Sequence, residues 1–405
     1  MNFKEFALDE RLIEAIDSIG YQVATPVQQQ AIPAVLNGKD IIVSAQTGTG
    51  KTAAFLLPVI HNIITSKQHD NIKALILVPT RELVIQIDQL MQGLSYFTNV
   101  SSVAVYGGSD GASFSREKQA LQEGVDMVIS TPGRLIAHLN MKYVSFEHIQ
   151  YLILDEADRM LDIGFYHDIM KIISYMPEKR QNLLFSATMP KKIMELSKVI
   201  LKNPLEISLA ISKPAEKIVQ EAFVVYENQK IPLVKHILAE KSLQKVIVFC
   251  STKVNVKLLT QELKKSKFLA QDIQSDLDQK TREEILLNFR NNKLNILVAT
   301  DILSRGIDIE DIDLVINFDV PHDGEDYIHR IGRTARAESN GIAYTLISEK
   351  EQGKFLIIEE LIGKEIFKAT VPEHFGLCPS YEPQKKKFFK QKKKSKNFKR
   401  KPSNG

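Results

Sequence analysis

Tyr151-Leu152-Ile153-Leu154-Asp155-Glu156-Ala157-Asp158 decides how this chain folds, because four apolar residues run straight into a cluster of carboxylates. A short run that is apolar at every position suits a strand buried on both faces, and the acids fall where it ends. Upstream, Ile41-Ile42-Val43-Ser44 leads in the same way into Ala45-Gln46-Thr47-Gly48-Thr49-Gly50-Lys51-Thr52. Gly48 and Gly50 let backbone N–H groups approach phosphate oxygens that a Cβ would obstruct. Lys51 brings a point charge to the β- and γ-phosphates and Thr52 a hydroxyl for Mg2+. A helix starting near Lys51 aims its positive end at the same place. Thr47 and Thr49 complete the loop's nucleotide-binding set. Asp155 is then the carboxylate that holds Mg2+, directly or through water, and Glu156 orients or deprotonates the attacking water. Two adjacent acids at a buried strand end repel one another unless a cation compensates, which favours this reading over a helix-capping turn. Together the two stretches imply a site for ATP and Mg2+.

Working outward, similar apolar runs recur at Ala74–Val78, Val103–Tyr106, Met127–Ser130 and Asn182–Phe185. They recur again at Val246–Cys250, Asn295–Ala299, Leu314–Phe318 and Ala343–Ile347. Amphipathic stretches such as Glu82–Leu94 and Lys253–Lys265 separate them. The expected class is α/β, with mostly parallel sheets covered by helices on both faces. Ligands of such sheets bind outside the strand C-terminal ends. A proline-containing stretch without clear period, Ser208 to Val219, divides the strand-rich halves. The expected layout is an ATP-binding domain over residues 1–208, a hinge over 209–219, a second domain over 220–370, and an extension with a disordered basic tail over 371–405.

The whole chain has 405 residues, 44% hydrophobic and 25% charged, and a net charge of +4. From Lys385 to Lys401 there are eleven Lys or Arg and no acid, which leaves 42 basic against 49 acidic residues elsewhere. A body this acidic must hold any nucleic acid in a local groove. The tail, interleaved with Phe388, Phe389 and Phe398, reads as a phosphate-backbone tether whose rings can stack on unpaired bases. Its alternatives are a solubilising tail or a contact with anionic membrane. Two cysteines in unlike contexts offer no metal or disulfide spacing, which points to a reducing cytoplasm. No apolar run approaches the roughly 20 residues of a membrane span, and the N-terminus has no signal core.

In the second half, His329-Arg330-Ile331-Gly332-Arg333-Thr334-Ala335-Arg336 places Arg333 and Arg336 three apart, on one face if the stretch is helical. Guanidinium forks suit a γ-phosphate whose charge spreads during transfer, so both are candidate catalytic groups beside Lys51 and Glu156.

These motifs together resemble those of the DEAD-box RNA helicases, two-RecA-domain ATPases of helicase superfamily 2, and within them most the bacterial RhlE-type branch. The resemblance runs over roughly residues 3–370. It implies that Gln28, in Gly20-Tyr21-Gln22-Val23-Ala24-Thr25-Pro26-Val27-Gln28, reads the adenine edge with its amide. Tyr21 would stack on the ring, and Phe3 resembles the family's upstream aromatic. It implies that Ser186-Ala187-Thr188 couples hydrolysis to strand separation through Asp158 and His329, that Asp308 meets the ribose, and that Arg305 helps fix the closed cleft. The implied RNA-facing set is Thr80 and Arg81, Gly107 and Gly108, Thr131 and Arg134, Gln279 and Arg282, and Thr300. Such hydroxyls, arginines and exposed amides meet phosphates and 2′-hydroxyls in place of base edges. Ala24 stands where the family usually has proline, Gln274-Ser275 where it has His-Gly, and Ala335 where it has glycine.

The function expected from this resemblance is an ATP-dependent RNA helicase whose domains close on ATP and single-stranded RNA. Ribosomal or messenger ribonucleoprotein is a compatible partner. The alternatives are an ATP-gated RNA clamp with little net unwinding, a DNA translocase, and a tail-led binder of anionic surfaces.

Overall fold

The structure is a computed structural model. It describes residues 1–45, 48–66, 71–107, 111–209, 218–240, 243–274, 277–300, 312–322, 324–334 and 341–383. The first sheet holds β1 (Ile41–Ser44), β2 (Ala74–Leu77), β3 (Ser102–Val105), β4 (Met127–Ser130), β5 (Tyr151–Leu154), β6 (Gln181–Ser186) and β7 (Leu205–Ser208). Their spatial order is β3-β4-β2-β5-β6-β1-β7. The second holds β8 (Ile218–Val224), β9 (Val246–Phe249), β10 (Ala270–Ile273), β11 (Ile296–Ala299), β12 (Leu314–Asn317), β13 (Gly341–Ile347) and β14 (Phe367–Lys368), in the order β10-β11-β9-β12-β13-β8-β14. The pairings are parallel throughout, from β1 with β6 and β7 to β13 with β8. These are two RecA-like α/β domains.

The continuous apolar runs follow from burial on both faces. Along β1, β2 and β5, Ile41, Val43, Ala74, Ile76 and Ile153 enter one core, while Ile42, Leu75, Leu77, Leu152 and Leu154 enter the other. The second sheet repeats this, with Val246 and Val248 on one side and Ile247 and Phe249 on the opposite side. Fully burying each such side chain contributes roughly 1.5–3 kcal/mol. Parallel pairing forces every connection to cross back over a face, so all the strand C-terminal ends of a sheet emerge along one edge. In the first sheet β6 lies between β1 and β5. The residues after β6 therefore emerge between the phosphate loop and the acidic cluster.

Four strands were not expected: β7, β8, β10 and β14. Three of them are sheet edges and the fourth neighbours an edge. β8 begins at Ile218, two residues inside the stretch assigned to the hinge. The residues after 370 also differ from expectation. Val371, Phe375 and Cys378 pack on one core of the second domain and Tyr381 on another. Gln229 Nε2 donates to the carbonyls of Phe375 (2.9 Å) and Leu377 (3.0 Å), and Tyr381 Oη donates to Glu359 (2.7 Å). Residues 371–382 are thus a strap on the domain. The basic segment 384–405 lies outside the described residues. Among the described residues no helix is long and apolar enough to cross a membrane.

Candidate active site at the strand C-terminal ends

The phosphate loop joins β1 to the helix Lys51–Thr65. Gly50 caps that helix at φ 86°, where a Cβ would stand 2.4 Å from Gln28 Nε2. Both the left-handed backbone and the close approach demand glycine there. Gln28 Nε2 donates to the Gly50 carbonyl at 3.1 Å, while Gln28 Oε1 accepts from the Thr25 N–H at 2.9 Å. Each end of the amide therefore keeps one unused valence for an adenine edge, and the residue expected to read the base also buttresses the phosphate loop. Phe3 stacks on Tyr21 at 6.2 Å between centroids. Phe3 is buried in the core, so its bearing on a nucleotide runs through Tyr21. Ala24 uses the N–H that a proline would lack: it donates to the Met1 carbonyl at 3.1 Å and ties down the segment carrying Phe3.

Lys51 is buried and its Nζ donates to the Ala45 carbonyl at 2.7 Å. Thr52 follows it in the first helical turn, half-buried. Asp155, 3% exposed at the end of β5, accepts the Glu156 N–H at 2.9 Å. Burial, opposed by Lys51 and reinforced by Glu156 and Asp158, pushes its carboxyl up to about 6. Glu156 adopts φ 48°, a left-handed conformation that costs a non-glycine residue of order 1–3 kcal/mol. Its Oε2 is buried without a hydrogen-bond partner, with Arg159 Nη1 at 3.7 Å. A strained carboxylate with spare acceptor capacity beside a second buried acid suits a group that handles water at a phosphate.

Asp158 links this cluster to the next strand. Its N–H donates to Ser186 Oγ (3.3 Å), its Oδ2 accepts from the Thr188 N–H (3.0 Å), and Ser186 Oγ donates to the Thr188 carbonyl (2.7 Å). The position of β6 thereby brings Asp158, Ser186 and Thr188, three of the five residues expected to couple the site, into one bonded group.

In the metal-free protein the raised carboxyl of Asp155 has a consequence for stability. Its ordinary value is 3.8, so between about pH 4 and 6 the unfolded chain gives up this proton first and ionisation favours unfolding. Asp155→Asn is expected to stabilise the protein in chelator at pH 7.5 by about 2–3 kcal/mol, since each tenfold change in proton affinity is worth roughly 1.4 kcal/mol. The gain should fade as pH drops to about 4. Thermal unfolding at the two pH values measures it, and an equal gain at both would overturn it.

The RNA-facing candidates fall at the same edges. Thr80 caps the helix Arg81–Ser95, and a Cβ at Gly107 would stand 3.8 Å from Arg81 Nη2. Thr131 precedes the helix Pro132–Asn140, and Thr300 directly follows β11. Arg134 is turned inward: its Nε donates to Glu117 Oε2 at 2.7 Å and its guanidinium covers the Phe114 ring at 4.6 Å. Glu117 Oε2 also meets His138 Nε2 at 2.7 Å. Arg134 thus braces the turn that carries Thr131. Gln279 opens the helix Gln279–Arg290, and Arg282 in that helix pairs with Glu82 of the first domain at 2.9 Å.

The helix expected to align Arg333 and Arg336 spans Gly324–Ile331, so Arg333 falls in the turn beyond it. Gly332 and the tight Arg333 N–H to Arg330 carbonyl bond end the regular spiral. His329 lies in the helix, half-buried. Arg330, which sequence reasoning passed over, is the buried member: its Nη1 donates to Asn317 Oδ1 (3.0 Å) and the Asp319 carbonyl (3.2 Å). Its spacing of three from Tyr327 was the available signal. Thr47, Gly108, Arg305, Asp308, Ala335 and Arg336 lie outside the described residues.

Family models match both halves of the chain. Residues 25–196 match the DEAD/DEAH box helicase model, and residues 229–338 match the helicase conserved C-terminal domain. The chain belongs to the DEAD-box helicases. It is 41% identical over 371 residues to the ATP-dependent RNA helicase CshA of Listeria monocytogenes, covering 91% of this chain and 70% of that protein. Among solved structures, Saccharomyces cerevisiae Dbp5 bound to RNA and ADP BeF3 superposes with TM-score 0.80 at 27% identity, over 91% of this chain and 95% of that one. A DEAD box protein from the hyperthermophile Methanococcus jannaschii is more similar in sequence, 36%, over 91% and 99% of the two chains. Its TM-score is lower, 0.52.

Proposed function

We propose that this protein is an ATP-dependent RNA helicase that unwinds RNA locally or remodels RNA–protein complexes as its two RecA-like domains close on ATP and single-stranded RNA. The observation that carries the reading is the bonding of Asp158 to Ser186 and Thr188, which ties the nucleotide-facing acids to a strand end of the RNA-facing edge. Lys51, freed from the Ala45 carbonyl, meets the β- and γ-phosphates, and Gln28 with Tyr21 holds the base. Asp155 and Thr52 are the oxygen donors for Mg2+. A buried carboxylate beside two others has the charge excess that a divalent ion relieves, and one carboxylate with a hydroxyl suits an ion otherwise held by phosphates. Bound Mg2+ would offset phosphate charge. Glu156 orients or deprotonates the water; Arg333 and Arg336, with Asp308 and Arg305, complete the site from the second domain.

The RNA-facing set is Thr80, Arg81, Gly107, Gly108, Thr131, Arg134, Gln279, Arg282 and Thr300, with Arg134 resting on Glu117 and Phe114. The domains in this reading are residues 1–208 and 220–370 with a hinge over 209–219, β8 starting within the last two hinge positions. The RhlE-type placement rests on motif sequence, while the relative compared above bears the CshA name, and a cytoplasmic location goes with the reducing compartment inferred from the cysteines. The test is ATP turnover with RNA and with DNA of the same sequence, alongside strand release from a short RNA duplex. RNA alone should stimulate turnover and release. Equal stimulation by DNA would favour a translocase, and turnover without strand release would favour an RNA clamp.

A further inference from the structure

The helix Gly111–Glu123, which follows the RNA-facing Gly107 and Gly108, buries only Glu117 and Leu121. Phe114, Glu117 and Leu121 are spaced three and four apart, so they share one stripe of that helix, with a carboxylate in its middle. A surface helix ordinarily fills such a position with an apolar side chain, and a buried carboxylate is costly unless it is bonded. Glu117 is bonded twice through one oxygen. Its Oε2 accepts from Arg134 Nε at 2.7 Å and meets His138 Nε2 at 2.7 Å. The three side chains, Glu117, Arg134 and His138, are 8%, 14% and 0% exposed. Both partners stand on the helix Pro132–Asn140, four residues apart and so on one face. The contact is reinforced around the imidazole. The Phe114 ring stacks on His138 at 4.2 Å and 9°, His138 Nδ1 pairs with Tyr143 Oη, and Lys118 Nζ lies over the Tyr143 ring at 5.3 Å. The strands that lead into the two helices are neighbours too: β3 pairs with β4, and the Thr131 N–H donates to the Val105 carbonyl at 3.2 Å.

We propose that Glu117 is a positioning residue for RNA binding, which pins together the two RNA-facing turns of the first domain, one after β3 and one after β4. The proposal rests on the helicase reading above. With Nε held by Glu117 and its guanidinium laid on Phe114, Arg134 has its direction fixed before RNA arrives. The same oxygen, through His138, holds the helix Gly111–Glu123 against Pro132–Asn140. The amides after β3 and the Thr131 hydroxyl therefore keep a constant spacing, as contacts to a phosphate backbone require. RNA then meets a surface that is already ordered, and its affinity is not diminished by the cost of ordering it. A carboxylate facing outward here would repel phosphate. Glu117 instead lies between the helices with its charge matched by Arg134, and it acts without touching RNA or nucleotide.

The test uses the full chain, with ATP turnover measured against a titration of ten-nucleotide oligouridylate and ADP binding measured without RNA. Glu117→Leu keeps most of the side-chain volume and removes the acceptor. It should raise the RNA concentration for half-maximal stimulation by roughly 10-fold, in line with the loss of a charge-assisted hydrogen bond. Turnover at saturating RNA and affinity for ADP should stay at wild type. Glu117→Gln, whose amide oxygen still accepts from both donors, should restore most of the response. Combined with Arg134→Leu, Glu117→Leu should lose less than the product of the two single losses, because Arg134 is one of the two groups it holds. A general loosening of the fold would give the full product. If Glu117→Leu does not fold, Glu117→Asp takes its place, one methylene too short to reach both donors, with the same split expected. A wild-type RNA response in the variant, a fully multiplicative combination, or ADP affinity falling together with the RNA response overturns the proposal. A wild type whose turnover RNA fails to stimulate overturns the helicase reading itself, and the proposal with it.

Discussion

Replacing Glu156 by glutamine is expected to lower RNA-stimulated ATP turnover by roughly 10²–10⁴-fold, the usual contribution of a positioned acid–base group. Binding of ATP and RNA should persist. The amide keeps the volume and the hydrogen-bonding reach of the carboxylate but cannot take a proton. The backbone at φ 48° is held by its surroundings: Asp155 Oδ1 accepts the Glu156 N–H, and the Glu156 carbonyl accepts the Met160 N–H. The substitution therefore leaves the strand end and Asp155 in place. Removing one negative charge beside Asp155 should, if anything, help a nucleotide's phosphates approach, so the variant should accumulate as a closed complex with ATP and RNA. Single-turnover ATP hydrolysis and equilibrium RNA binding measured on the same preparation separate the two effects. Turnover within a factor of about three of wild type would remove Glu156 from the reaction and return the water-handling role to Asp155 or to the second domain.

Much of this site was legible because its chemistry sits where buried strands end. Strands β1, β2, β4, β5, β9, β11 and β12 are covered on both faces, and their unbroken apolar runs announce them, as do the polar residues that follow. The edge strands β7, β10 and β14 were missed for the converse reason, while β3, also an edge, kept a readable run. β7 (Leu-Glu-Ile-Ser) and β10 (Ala-Gln-Asp-Ile) bury only part of their side chains, so nothing in composition separates them from loop. The strap after residue 370 was missed because scattered contacts through Val371, Phe375, Cys378 and Tyr381 have no period to detect. Local motif reading also does not supply the partners of the arginines: Arg134 is folded onto Glu117 and Phe114, and Arg330, which it passed over, onto Asn317. Arg282 pairs with Glu82, a partner two hundred residues distant that no local pattern could supply.

The largest stability effect is expected from Lys230→Met in the second domain. Lys230 is fully buried at the start of the helix Lys230–Glu240, with Nζ 2.9 Å from Glu351 Oε2, 3.2 Å from Asp319 Oδ1 and 3.2 Å from Glu227 Oε2. Burial alone would lower its pKa, but Glu351, Asp319 and Glu227 more than offset this and hold it above its ordinary value. The two inner carboxylates are in turn fixed to strand ends. Asp319 accepts the Ser251 N–H beyond β9, and Glu351 accepts N–H groups of Val320 beyond β12 and Ser348 beyond β13. Asp319 also offers its carbonyl to Arg330, so the cluster supports the helix that leads to Arg333. Methionine fills most of the lysine's volume and removes the charge, leaving Asp319 and Glu351 buried without their cation. Breaking a buried pair in this way costs about 3–5 kcal/mol. Because the lysine's folded pKa lies above its unfolded one, its contribution is complete below about pH 10.5 and is lost only above that, so the deficit should be constant from pH 7 to 9. Denaturant unfolding should show the second domain's transition moving alone, and Lys230→Met combined with Glu351→Gln should recover part of the loss. At temperatures between the two transitions, nucleotide should still bind the first domain while RNA-stimulated turnover disappears. A deficit below about 1 kcal/mol would mean that water solvates the cluster, as it does an exposed ion pair, and that the strand ends of the second domain are held without it.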